Sequence, residues 1–432
     1  MKNICFYFQI HQPLKLKRFR FFDIGADHYY YDDFQNEENI LRLVNNSYLP
    51  ANKLILEMIK STNGKFKCAF SISGPALEQF EQYAPELIDS FKELAATKSV
   101  EFLTEPYAHS LSSVFDTNEF EIQVQKHANK IHELFGKRPK AIRNSELIYS
   151  DEIGALVAKM GYKTMLIEGA RHVLGWKSPN YVYTAHIPNN LPKLKLLIRN
   201  YKLSDDIAFR FSDRSWTDFP LTAEKYIDWI AALPAEEQVI NIWMGYEALG
   251  EYQRKESGIF DFLRALPFYA MEKGLKFATP SEITEASKPT ESASALFPIG
   301  WSGEEKDLSV WTGNNLQQEA LEKLYGIAER VRLCIKRDRT LLRDWLNLQT
   351  TDHFRYMSHK DPWGSNYENA YDAFMNYMNV LADFMQRIDN MYPTTIENEE
   401  LNELLKTISN QEKKIDVLEN EVKKLKADKK GK

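Results

Sequence analysis

MKNICFYFQIHQP, residues 1–13, decides the fold class. Ile4, Phe6, Phe8 and Ile10 alternate with Cys5, Tyr7 and Gln9, a period of two with apolar residues on both faces. A strand buried on both sides belongs to a parallel sheet, and this one runs out into the polar stretch His11-Gln12-Pro13. The same signal returns at residues 66–73, 100–103, 141–146, 164–169, 196–200, 239–247 and 275–279, with helical patterns between several of them, such as Glu119 to Phe135 and Glu152 to Met160. Alternating β and α elements over residues 1–290 predict an α/β domain, a parallel sheet or barrel, whose reactive groups sit at the C-terminal strand ends. Those ends supply His11, Glu101, Glu105, Glu146, Glu168 and Glu247.

A chain of 432 residues, 44% of them hydrophobic, buries a large core and has room for a catalytic-sized domain and a smaller unit. From Lys288 to Ser302 the composition shifts to Ser, Thr, Ala, Pro and Gly, which reads as a linker. Residues 291–392 then turn helical. Leu321, Leu324, Ile327, Val331, Cys334 and Ile335 form one apolar stripe and Phe374, Tyr377, Met378, Leu381, Phe384, Met385 and Ile388 another, as in a small bundle packed on the first domain. In the tail, residues 393–432, Leu401, Leu404, Ile408, Gln411, Ile415, Leu418, Val422 and Leu425 follow a 3-4 spacing. That seam predicts a parallel two-stranded coiled coil, hence a homodimer through residues 401–425, while a single amphipathic helix folded back on the body remains open.

The net charge of −6 argues against nucleic acid or an anionic membrane as the main partner. No apolar run approaches the ~18 residues of a membrane span, and the N-terminus lacks the h-region of a signal peptide. Cys5, Cys68 and Cys334 are too few and scattered for a disulfide framework or Cys-based zinc site, which points to the cytoplasm. Aromatic residues reach 13%, and their flat faces suit sugar rings, although most aromatics serve a core.

Several segments together carry a resemblance. HQP at 11–13, VEFLTEPYAHSL at 100–111, RNSELIYSDEIG at 143–154, WMGYEALGEYQ at 243–253 and TPSEI at 279–283 stand in the order and spacing of the five sequence regions of glycoside hydrolase family 57. FSISGPALEQFEQYAPELI at 70–88 and LQTTDHFRYMS at 348–358 resemble its α-amylase branch, so the likeness covers about 350 residues. The resemblance implies a distorted seven-stranded (β/α) barrel followed by a helical domain that closes over the cleft. It further implies a retaining mechanism on α-1,4-linked glucans, with no metal or organic cofactor. By position, Glu146 matches the nucleophile; His11, Glu101, His109, Glu247 and the ring of Tyr252 match substrate-binding sites, and Asp352 and His353 reach the cleft from the second domain.

The residues agree on the nucleophile. Retaining hydrolysis uses two carboxyls about 5–5.5 Å apart, one attacking the anomeric carbon and the other protonating the leaving oxygen. Glu146 follows an apolar strand, and Arg143 nearby would keep it ionised. The acid departs from the family pattern: Gly245 stands where Asp is expected, and glycine neither gives nor takes a proton. On a regular strand Glu247 would point to the same face as position 245 but ~6.6 Å further along. It replaces the acid only if the chain bends at the glycine; Asp205, Asp206 and Glu105 are weaker candidates. His11, His109 and His353 match no zinc spacing, so no metal is expected. Two functions follow: an α-glucan-acting hydrolase or transglycosylase with reduced or lost turnover, or a non-catalytic α-glucan-binding pseudoenzyme or regulator.

Overall fold

Strand β1, Asn3–Ile10, is the centre of the architecture: it is paired to three other strands and buried at nearly every residue. In the computed structural model, described for residues 2–361 and 364–391 and at six isolated positions beyond, the remaining strands are short. They are β2 (Cys68–Ile72), β3 (Val100–Phe102), β4 (Ala141–Arg143), β5 (Thr164–Ile167), β6 (Val182–Ala185), β7 (Lys195–Ile198), β8 (Val239–Gly245), β9 (Leu249–Gly250), β10 (Gln253–Arg254), β11 (Lys276–Phe277) and β12 (Glu291–Ala293). A parallel sheet runs β11-β1-β2-β3 with β8 also on β1, and a second runs β12-β6-β7-β5-β4, parallel except between β6 and β7.

Two seams join these sheets. Thr104, just past β3, bridges to Ile142 in β4, with Thr104 N–H donating to the Ala141 carbonyl at 3.1 Å. At the other edge Asn200 N–H donates to the Asn241 carbonyl at 2.9 Å, and the Asn241 side-chain amide donates to the Ile198 carbonyl at 2.8 Å. Alternation then sorts the side chains. Cys5, Tyr7, Ala69, Leu103, Ala141, Leu166, Leu197, Val239 and Trp243 form one cluster between the sheets, joined by Ile283 of the helix Pro280–Ala286. The opposite face of β1, with Ile4, Phe6, Phe8 and Ile10, packs against helices such as Leu49–Ser61. This explains the double-sided apolar pattern: both faces of β1 are covered.

Strands β6 and β12 have no counterpart in the expected pattern, and β12 falls in the stretch read as a linker. Each is short, four and three residues, too few to display a side-chain period. Downstream, helices Asn315–Gly326, Ala328–Arg337, Leu341–Leu348, Thr351–Tyr356 and Ala370–Met391 bury the two expected apolar stripes in the cluster that also covers β4 and β5. The expected coiled-coil seam lies outside the described residues except at isolated positions, of which Leu404, Ile415 and Leu418 are helical and 59%, 54% and 53% exposed. Among the described residues no helix is long and apolar enough to cross a membrane.

Candidate active site

Glu146 reaches the cleft through a strained turn. Strand β4 stops at Arg143, Asn144 caps the 3-10 turn Ser145–Leu147, and Glu146 and Leu147 both take a left-handed φ of 54°. Non-glycine residues enter that region at a cost of about 1–3 kcal/mol, so the surroundings must hold them there. The Asn144 amide donates to the Ile148 carbonyl and to Ser113 Oγ, both at 2.9 Å, and Trp301 N–H donates to the Glu146 carbonyl at 3.0 Å. The turn delivers the carboxylate to a cleft of about 440 Å³ over the C-terminal ends of the strands. There Oε1 accepts from Thr351 Oγ1 at 2.8 Å and Oε2 from the Trp301 indole N–H.

Behind Glu146 lies a buried charge relay of alternating sign. His109 Nε2 sits 3.3 Å from Glu146 Oε1 and its Nδ1 3.4 Å from Glu105 Oε2; Glu105 also accepts from Arg143 at 3.1 Å, and Arg143 donates to Gln9 Oε1 at 2.5 Å. Burial opposes charge on all of them. The bonds and charges of Glu105 and Glu146 overcome it at His109, whose imidazole is pushed up to about 9 and is therefore cationic at neutral pH. Burial would likewise raise Glu146, but the His109 hydrogen bond, then the charges of His109, Arg355 and Arg143, hold it well below the usual carboxylate range. Glu105 is brought down to about 2: burial again opposes, and His109 and Arg143 prevail. On the adjoining wall the His11 ring stacks on His109 with centroids 3.9 Å apart, and His11 is held by Ser73 Oγ and Asp352 Oδ2, each at 2.7 Å. Burial, followed by the neighbouring His109 charge, lowers the His11 pKa despite Asp352.

The opposite wall is the end of β8. Gly245 pairs in register with Gln9, whose side-chain amide lies 3.4 Å from the His109 ring, and Gly245, His109 and Glu146 all line the cleft. The strand ends at this glycine and the chain enters a 3-10 turn, Tyr246–Ala248. Glu247 therefore does not continue along a strand as expected. A Cβ built on Gly245 would stand 3.0 Å from Glu247 Oε2. Glu247 Oε1 accepts from Gln12 at 3.0 Å and from the Tyr48 hydroxyl. Burial raises the Glu247 pKa, and these hydrogen bonds offset only part of it.

Of the residues expected at the site, His11, His109, Glu146, Gly245, Glu247, Tyr252 and Asp352 line this cleft, with Tyr252 43% exposed. Two do not. Glu101 lies inside β3, one residue before the strand end, and binds Ser281 N–H at 3.0 Å and the Ser281 hydroxyl at the base of the fold; the glutamate that reaches the site from this stretch is Glu105. His353 is buried in the bundle with Nε2 3.0 Å from the Asn347 carbonyl, because its neighbour Asp352 takes the cleft-facing side of the helix Thr351–Tyr356. Asp205 pairs with Arg199 and Asp206 with Arg210, so both are tied in ion pairs. Among the described residues no group of three or more His, Cys, Asp or Glu is arranged to hold a metal. Sequence reasoning missed Gln9, Thr351, Trp301 and Arg355. Gln9 stands in the quoted first strand, Thr351 and Arg355 in the quoted stretch 348–358, and Trp301 in the stretch read as a linker, but none was marked as a site residue.

Comparison with known proteins places the chain in a family. The profile of Glycosyl hydrolase family 57 matches residues 5–295. A curated protein of Methanocaldococcus jannaschii named "Putative alpha-amylase" is 37% identical over 403 residues, covering 88% of this chain and 84% of that one. The chain belongs to glycosyl hydrolase family 57. Its fold is similar to that of a GH57 branching enzyme from Thermococcus kodakaraensis, with a TM-score of 0.66 at 13% identity over 93% of this chain and 94% of that one. It is similar as well to a 4-alpha-glucanotransferase from Thermococcus litoralis, with a TM-score of 0.60 at 15% identity; the match covers 88% of this chain but only 57% of the glucanotransferase.

Proposed function

We propose that this protein acts on α-glucans by a retaining, α-amylase-like route in which Glu146 is the nucleophile, and that turnover of unactivated glucans is reduced or lost because Gly245 stands at the acid's position. One observation carries the reading: a buried carboxylate, held ionised by His109 and oriented by Thr351 and Trp301, opens onto a cleft. A Glu146 oxygen attacks the anomeric carbon as the bond to the leaving oxygen breaks, and that oxygen needs a proton. Loss of a general acid typically costs about 10²–10⁴-fold, or roughly 3–5.5 kcal/mol of barrier.

In this reading the two seams close β8-β1-β2-β3-β4-β5-β7 into a distorted seven-stranded barrel spanning residues 1–290. Residues 291–392 cap it, adding Asp352 and Arg355 to the cleft wall and a buried Thr351 that donates to Glu146. His11, Tyr252 and Asp352 hold sugar hydroxyls and a ring face. The tail, 393–432, joins two copies. Three buried free thiols support a reducing, cytoplasmic setting.

Gly245 favours a second reading, a non-catalytic α-glucan-binding protein that keeps the same cleft for recognition. Transfer from α-glucosyl fluoride to a maltooligosaccharide acceptor separates the two. The first reading predicts α-linked products by NMR, absent with Glu146→Gln; no product from any activated donor, with glucan still bound, selects the second.

A further inference from the structure

The geometry points to Glu247 as the proton donor that replaces the missing carboxyl at position 245. This rests on the proposed retaining reaction with Glu146 as nucleophile.

An aspartate at 245 would carry its carboxyl carbon about 1.5 Å beyond Cβ. Glu247 Oε2 stands 3.0 Å from that same Cβ position, so the longer side chain, folded back by the turn at 246–248, brings a carboxyl into the space an aspartate would fill. The expected ~6.6 Å offset assumed a strand that continues; here the strand ends at 245. With no side chain at 245, nothing of that residue stands between Glu247 Oε2 and the space an aspartate would fill.

The environment of the group fits an acid. Its hydrogen bonds from Gln12 and Tyr48 both end on Oε1, which leaves Oε2 turned toward position 245 and the cleft. No Lys, Arg or His forms an ion pair with Glu247 among the described residues, and the side chain is 6% exposed. Burial without a cation favours the neutral, proton-carrying form. The raised pKa of Glu247 and the depressed pKa of Glu146 agree with this division of roles. Two carboxyls driven apart by their surroundings are the usual pattern of an acid and a nucleophile.

The step balances. Glu146 forms a bond to the anomeric carbon, the bond to the leaving oxygen breaks, and the Oε2 proton passes to that oxygen, leaving Glu247 ionised. In the second half Glu247 takes a proton from water as the water oxygen attacks the same carbon and releases Glu146.

The test compares kcat/KM for α-glucosyl fluoride, aryl α-glucosides of graded leaving-group pKa and maltotetraose in the wild-type protein and in Glu247→Gln. Fluoride departs without a proton, so Glu247→Gln is expected to keep that reaction within about 5-fold while maltotetraose falls about 10²-fold, the lower end of what a general acid supplies. The wild-type rate also loses activity along an alkaline limb that Glu247→Gln lacks. An equal loss on both substrates makes Glu247 a binding residue and overturns the proposal, as does no loss on either, or a wild-type protein that reacts with the fluoride but leaves maltotetraose untouched. Should Glu247→Gln fail to fold, the wild-type aryl glucosides decide: a shallow dependence on leaving-group pKa supports an acid, and a steep one excludes it. If wild type does not react even with the fluoride, the retaining reading itself fails, an outcome distinct from all of these.

Discussion

Gly245→Asp restores the carboxyl at the position the family pattern assigns to the acid, and its effect can be worked out from the site. Gly245 has φ −63° and ψ 139°, a conformation open to any L-residue, so the substitution carries no backbone penalty. The new Cβ lies 3.0 Å from Glu247 Oε2, the tip of a side chain that can yield by a few tenths of an ångström. Two carboxyls so close share a proton, which raises the pKa of one of them and favours its acid form. A well-placed acid is worth about 10²–10⁴-fold. Glu247 already provides part of this, so the expected gain in kcat/KM on maltotetraose is at least about 10-fold, or ~1.4 kcal/mol of barrier. The assay is release of reducing ends, with α-glucosyl fluoride as control, whose rate should stay level because its departure needs no proton. An unchanged rate on maltotetraose, with fluoride turnover and glucan binding intact, would refute the assignment of position 245 to the leaving group.

Three further outcomes follow from the same contacts. His109 titrates at about 9 in the folded protein against 6.5 ordinarily, so its charge contributes fully to stability below about pH 6.5 and this contribution is lost as pH rises through about 9. Melting temperature should therefore fall over that window more steeply in wild type than in His109→Gln; parallel curves would contradict a charged His109. Trp301→Phe deletes the indole donor to Glu146 Oε2, a hydrogen bond to a charge worth about 1.5–3 kcal/mol. Glucosylation by α-glucosyl fluoride should slow ~10-fold or more, and an unaltered rate would show that the indole does not position the nucleophile. For the tail, sedimentation should find a dimer for the full chain and a monomer for a chain ending at Pro393, whereas identical monomers would rule out the coiled coil.

The sequence made β1 and the α/β alternation plain because both faces of the strand are buried, and burial leaves a period-two record. It made the helical stripes plain for the same reason. What it hid lay in short strands and in turns. Strands β6 and β12, four and three residues long, are too short to leave a period in side-chain type. Glu101 and Glu105 stand four residues apart, and only the end of β3 at Phe102 separates a buried structural carboxyl inside the strand from one that pairs with the site past its end. Position 247 depended likewise on whether the strand continued past Gly245. Thr351 and Trp301 come to Glu146 from more than 150 positions away in the chain, and nothing local in the sequence marks contacts of that range.

The role of Glu146 is tested most directly by intact mass of the protein mixed with α-glucosyl fluoride, followed by peptide mapping. The fluoride needs no acid to leave, and rapid quenching in acid traps the intermediate before water releases it. A mass gain of one anhydroglucose unit located on Glu146, absent in Glu146→Gln, is the expected result. No adduct, or an adduct on another residue, would contradict Glu146 as the nucleophile.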